Sequence, residues 1–310
     1  MTDATAPRTG LMQSVWANPI LLLVLTTLIW AAHSIVGRLA VGLIGPMTLT
    51  CLRWGVALIP ILIAARHSLR QDWPALRARW IYLAVMGAAG YTVFVALFYV
   101  AAHHTSALNL SIIQGAIPAL VLIGARVFLG VRFGALQALG ALVTMLGVVV
   151  IAAQGDPAKL KALAFNSGDV LMIVASVLYA GYTVGLRQRP HVSGVSMLAA
   201  MAVAAFLTSL PLMIWEVMSG GFLWPGRGGL LVLAFVALGP AFIAQLTFMR
   251  GVELIGPGRA GVFVNLVPVF GAIMAVVILS EPFALYQVLA LLLVVGGIAI
   301  AQRSSAAAQR

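Results

Sequence analysis

A few rings and amides stand out in a chain otherwise made of apolar residues. Trp30 and His33 lie three residues apart in one apolar stretch, and Tyr179 and Tyr182 have the same separation in another. As helix, three residues make about 4.5 Å of rise and place both rings on one face. Tyr91, Tyr99 and Gln245, with Asn109, Gln114 and Asn265, add further polar tips within such stretches. Rings with a hydrogen-bonding tip, and amides that bond either a carboxylate or an ammonium, suit a zwitterionic or aromatic small molecule. The same groups also serve as glue between membrane helices, which is the alternative reading for each.

Covalent chemistry finds no support in the sequence. There is no HExxH motif, no carboxylate pair within an apolar stretch, and Ser34 adjoins His33, so the two point apart on a helix. All seven acids, Asp3, Asp72, Asp156, Asp169, Glu216, Glu253 and Glu281, fall between apolar stretches or at their ends. Proton- or sodium-coupled carriers commonly keep a buried acid at mid-membrane. That device is missing, and His33 is the obvious group at mid-depth that titrates near neutrality when unperturbed. No cofactor, metal or nucleic-acid partner is implied.

The elements that must hold these residues are membrane spans. The chain is 63% hydrophobic and 8% charged, far from a soluble domain. Apolar runs of about 20 residues, enough to cross a bilayer core, occur near 20–40, 46–65, 80–101, 106–127, 133–153, 169–187, 193–215, 229–249, 257–279 and 283–301. This predicts an all-α polytopic membrane protein of ten spans, with short polar connectors at 66–79, 154–168 and 216–228. The first run is too long for a signal-peptide core and has no small-residue cleavage site, so it is span 1. The one cysteine, Cys51, excludes an internal disulfide.

The spans repeat. Phe98, Pro118, Phe133, Gln137, Leu139 and Gly147 recur 150 residues later as Phe248, Pro268, Phe283, Gln287, Leu289 and Gly297. Nearer the start, Trp30, Ala31, Ser34 and Arg38 face Tyr179, Ala180, Thr183 and Arg187 at an offset of 149. Identities at a fixed offset mark a duplication, here residues 1–160 and 161–310. Five spans per copy invert the second copy in the membrane, an architecture of secondary transporters.

Charge placement agrees with inversion. With a cytoplasmic N-terminus, Arg8, Arg66, Arg70, Arg77, Arg79, Arg126, Arg132, Arg187, Arg189, Arg250, Arg259, Arg303 and Arg310 lie inside, while Arg38, Lys159, Lys161 and Arg227 lie outside. Thirteen against four is a positive-inside pattern with both termini cytoplasmic. Arg53, within span 2, is expected to snorkel toward the outer edge. Trp16, Trp73, Trp80, Trp215 and Trp224 read as interfacial anchors.

Pro118 and Pro268 interrupt matching spans, where each removes a helical hydrogen bond, and matched breaks point to the centre of transport. A kink for packing alone is the alternative. Pro60, Pro211 and Pro240 have no symmetric partners and are read as structural. Gly134, Gly140 and Gly147, echoed by Gly296 and Gly297, permit close packing of spans 5 and 10.

Two five-span copies, each with a Pro in its fourth span and a Gly late in its fifth, and Leu279-Ser280-Glu281-Pro282 opening span 10, resemble the EamA repeats of the drug/metabolite transporter superfamily. Within it the chain looks most like bacterial YddG-type exporters of aromatic and other amino acids. The resemblance implies a monomeric carrier in the bacterial inner membrane that exports small metabolites by alternating access, not an enzyme. It also implies a cavity among spans 1, 3, 4, 6, 8 and 9, with 2 and 7 peripheral and 5 and 10 supporting. The family's Glu appears as Glu281, but the equivalent position in the first copy is Val131. Glu281 is therefore read as a charge favoured by the dipole at the start of span 10.

Overall fold

A computed structural model describes residues 15–130, 134–156, 158 and 166–307, and contains no strand among them. Asp3, Arg8, Val131, Arg132, Phe133, Lys159, Lys161 and Arg310 lie outside the described residues. The helices are α1 (Pro19–Leu39), α2 (Pro46–Ala78), α3 (Trp80–His104), α4 (Ala107–Leu129), α5 (Ala135–Ala152), α6 (Ser167–Gly185), α7 (Gly194–Met218), α8 (Arg227–Ile255), α9 (Pro257–Phe263 continued as Leu266–Leu279) and α10 (Leu285–Ala307). Nine of these are long and apolar enough to cross a membrane, and α10 adds the apolar helix Leu285–Ala301.

Local chemistry starts these helices. The side chains of Asn18, Ser106, Asn166 and Ser193 cap α1, α4, α6 and α7 by accepting from backbone N–H groups of the first turn. Pro19 and Pro46 open α1 and α2 where no amide hydrogen is needed. One boundary differs from the sequence reading: the Arg-rich segment 66–79 is not a connector, because α2 continues through it to Ala78. Arg, Leu and Gln are good helix formers in water, so the loss of hydropathy marks where lipid ends rather than where the helix ends.

The duplication is visible as repeated backbone events. A π-helical turn interrupts α3 at Ala88–Val93 and α8 at Gly239–Ile243. Turns break α4 at residues 115–116 and α9 at 264–265, just ahead of Pro118 and Pro268. Both of those helices end in the left-handed conformation, at Gly130 (φ 65°) and Ser280 (φ 52°). Gln137 and Gln287 then reach back to accept from the backbone N–H of Gly134 and Ala284, at 3.0 and 2.9 Å, as α5 and α10 begin.

Packing respects exchange of the halves. α5 lies against α10 and α2 against α7, while α1 meets α8 and α9 as α6 meets α3 and α4. The α5–α10 crossing is the tightest: a Cβ on Gly297 would stand 2.5 Å from the carbonyl oxygen of Gly140, and one on Gly147 2.9 Å from that of Ala290. Gly296 faces open space instead, and Gly134 is the cap of α5, so neither takes part in the close approach. The outward surface is apolar, with Phe128 76% and Val277 73% exposed, as expected where lipid replaces water.

Candidate substrate site

Aromatic and polar residues from both halves meet in the interior. α1 contributes His33, whose Nε2 stands 2.9 Å from the Tyr99 hydroxyl of α3 and 3.0 Å from Nη1 of Arg53 on α2. The same Nη1 donates to the Tyr99 hydroxyl at 3.2 Å. A guanidinium can only donate, so His33 Nε2 accepts and its ring is the neutral tautomer protonated at Nδ1. His33 also stacks on Phe98, ring centres 4.6 Å apart.

From this group a run of rings crosses to the second half. Phe98 meets Phe94, and Phe94 meets Tyr179 at 4.7 Å. Tyr179 meets Tyr182 at 5.2 Å, and Tyr182 meets Tyr91 at 5.8 Å. Tyr91 lies flat on Trp54, centres 4.7 Å apart and planes 4° from parallel, while the Trp54 indole N–H donates to the Tyr91 carbonyl oxygen. The π-helical turn of α3 makes room for this: a Cβ on Gly90 would stand 2.5 Å from the Tyr182 ring, so only glycine admits that ring.

His33, Tyr91, Tyr99, Tyr179 and Tyr182 are thus brought together. Trp30 is not. Its ring turns to Phe248 of α8 at 5.2 Å, whereas His33 turns to Phe98 and Tyr99 of α3. Three residues of helix leave about 60° between side chains, enough for neighbouring rings on α1 to address two different helices. Gln245 is half-buried on α8 just past its π-helical turn, and Asn265 lies in the break of α9 itself. Asn109 belongs to a buried network, donating from Nδ2 to Asp169 and accepting from Gln287, and Gln114 donates to the Ser34 hydroxyl.

Three further expectations are corrected. Arg53 does not snorkel: it is 5% exposed, in the stripe of α2 that also buries Leu49, Trp54 and Ala57, and its bonds run inward to α1 and α3. α2 is accordingly not peripheral, since it delivers Arg53 and Trp54 to the cluster. Glu281 does not serve the start of α10; its carboxylate accepts from the backbone N–H groups of Ala107 and Leu108 at 2.9 and 3.0 Å, capping α4. The left-handed turn at Ser280 swings it there. Pro240 has no repeated proline opposite it, and it lies in the π-helical turn of α8, which has a counterpart in α3.

Among the described acids, Asp169, Glu216 and Glu281 are buried or bonded from the second half to helix starts and loops of the first. Glu216 accepts from the N–H groups of Met47 and Thr48 and from the Thr48 hydroxyl at 3.0, 2.8 and 2.6 Å. Asp169, fully buried, accepts from the Thr105 hydroxyl at 2.5 Å. With Glu281, these tie the second half to the first at the end of the bundle where α1 passes into α2 and α3 into α4. Among the described residues no group of three His, Cys, Asp or Glu side chains is placed to hold a metal.

A helical bundle of two repeats, apolar outside and carrying a polar and aromatic centre, defines the class of polytopic membrane carriers. The chain belongs to the EamA-like transporter family, which matches residues 17–153 and 166–302. It is 27% identical over 272 residues to an uncharacterized transporter, YyaM, of Bacillus subtilis (strain 168), covering 84% of this chain and 86% of that one. It is also 24% identical over 266 residues to an uncharacterized transporter, YetK, of the same organism, covering 85% and 80%. A solved crystal structure superposes with a TM-score of 0.65 over 94% of this chain and 99% of its own, at 19% identity, which establishes a shared fold. The protein is a multi-pass membrane transporter.

Proposed function

We propose that this chain exports small zwitterionic metabolites, amino acids with aromatic side chains among them, by alternating access of two inverted five-helix halves, residues 1–160 and 161–310. One observation carries the reading: the interior polar groups and rings come from both halves, with His33, Tyr91 and Tyr99 from the first and Tyr179 and Tyr182 from the second. A ligand held between them touches both moving parts, which is what lets binding energy favour one arrangement of the halves over another. The paired breaks ahead of Pro118 and Pro268 give α4 and α9 matched places to bend. Exchange of the halves maps the main helix pairs onto one another, α1 with α8 and α9 onto α6 with α3 and α4, as a two-fold axis between them would. The Arg distribution supports an orientation with both termini in the cytoplasm of a bacterial inner membrane, and a monomer contains the whole cluster.

The test is counterflow of a labelled amino-acid panel into proteoliposomes by purified protein, with Tyr179→Ala and Tyr182→Ala alongside. Saturable exchange, reduced in both variants while they stay folded and inserted, supports the reading. Flux that does not saturate identifies a channel, and full transport in both variants assigns these rings to packing.

A further inference from the structure

Arg53 is a buried cation surrounded by neutral partners. Its hydrogen bonds all leave from Nη1, to His33 Nε2 and the Tyr99 hydroxyl, and its guanidinium carbon lies 5.2 Å from the centre of the Trp54 ring. Its Nε is buried and has no hydrogen-bond partner. Among the described residues the one ion pair is Arg250 with Glu253, on the surface and far along the chain. A guanidinium does not give up its proton in proteins, and a buried charge is normally matched by an anion. Arg53 is not so matched, and the side of its guanidinium that carries Nε is turned away from the His33 and Tyr99 bonds.

We infer that Arg53 receives the carboxylate of the transported compound. The assignment rests on the transport reading above and narrows it to organic acids and amino acids with a free carboxylate. Nε and Nη2 form the edge of a guanidinium that matches a carboxylate with two parallel hydrogen bonds. His33 and Tyr99 are positioning residues: by engaging Nη1 they fix the plane of the fork and leave that edge for the substrate. The Trp54 ring, 5.2 Å from the guanidinium carbon and itself stacked on Tyr91, supplies an apolar wall beside the carboxylate. An amine without a carboxylate would bring a second positive charge against Arg53 and is excluded.

The experiment compares matched ligands that differ only in the anion. L-phenylalanine and L-phenylalaninamide are offered to the full-length protein, with binding read by ligand-induced thermal stabilisation and transport by counterflow. A charge-assisted hydrogen bond lost from one partner corresponds to roughly a ten- to hundredfold loss of affinity, so the wild type should favour the acid by that factor. Arg53→Gln should lose acid binding to the same extent and, by removing the charge that repels the ammonium, should raise binding of the amide rather than lower it. Arg53→Met, which replaces the buried charge by an apolar chain of similar length, should do likewise and covers the case in which the Gln variant does not fold. An acid preference that survives in either folded variant overturns the assignment. Wild-type counterflow of acid and amide alike leaves the transport reading standing and sinks the role of Arg53, whereas no counterflow of any panel member defeats both.

Discussion

Glu216→Gln should loosen one end of the bundle by an amount that can be worked from its contacts. The carboxylate accepts two backbone N–H bonds and one hydroxyl bond at the start of α2, at 3.0, 2.8 and 2.6 Å. An amide keeps one oxygen, so one buried N–H of Met47 or Thr48 loses its acceptor and the remaining bonds lose their charge assistance. The cost is about 2 kcal/mol, equivalent to about 30-fold in the ratio of latched to unlatched protein. Cys51, the only cysteine, is 1% exposed and lies one turn beyond Thr48. Its modification by a thiol reagent therefore reports how often α2 parts from α7, and in Glu216→Gln the rate should rise by about that same factor. Gly45→Ala supplies an independent route to the same state. Its backbone (φ −63°, ψ 143°) suits alanine, but the added Cβ would overlap the Glu216 carboxylate. A Cys51 labelling rate unchanged in both variants would refute the idea that this cap is a latch.

Other expectations follow from the same geometry. Gly297→Ala should lower the apparent melting temperature through a backbone clash of about 1–3 kcal/mol, while Gly296→Ala, facing open space, should be neutral or stabilising; equal effects would remove the close α5–α10 crossing as the cause. Pro118→Ala and Pro268→Ala should slow counterflow several-fold with substrate affinity little changed, and unchanged rates in both would make the breaks structural only. His33→Gln should preserve substrate exchange, and an imposed pH gradient should leave net flux nearly unchanged in the wild type, because a protonated His33 would face Arg53 with a second positive charge. Several-fold gradient-driven accumulation that vanishes in His33→Gln would contradict this.

What was legible in the sequence was whatever recurs locally in each half. Gln137 and Gln287 repeat because each caps the helix that follows it, Gly147 and Gly297 because each lies where α5 and α10 touch, and Pro118 and Pro268 because each follows a break. The π-helical turns repeat in backbone only, with AAGYTV in one half and GPAFI in the other, so residue identity could not reveal them. Helix azimuth was equally hidden. In a membrane protein both the lipid face and the protein face are apolar, and nothing in the run around Arg53 says which way it points. The rings of α1 were misassigned as a pair for the same reason, since Phe98 and Phe248 are themselves repeat partners and take one ring each.

The acids carry the asymmetry between the halves. Glu281 has Val131 at its equivalent position, and Glu216 falls opposite His67 at the offset of 149. Among the described residues the three carboxylates that are buried or cap helix starts of the other half, Asp169, Glu216 and Glu281, belong to the second half and bind groups of the first at one end of the bundle. At the opposite end the carboxylate contact between halves is the exposed one from Ser193 N–H to Asp72, at 3.0 Å. The carboxylate contacts between the halves are therefore unequal at the two ends: charge-assisted and shielded at one, solvated at the other. Water competes for the exposed bond but not for the buried ones. Among the carboxylate contacts, the halves are thus tied more strongly at the end of Asp169, Glu216 and Glu281 than at that of Asp72.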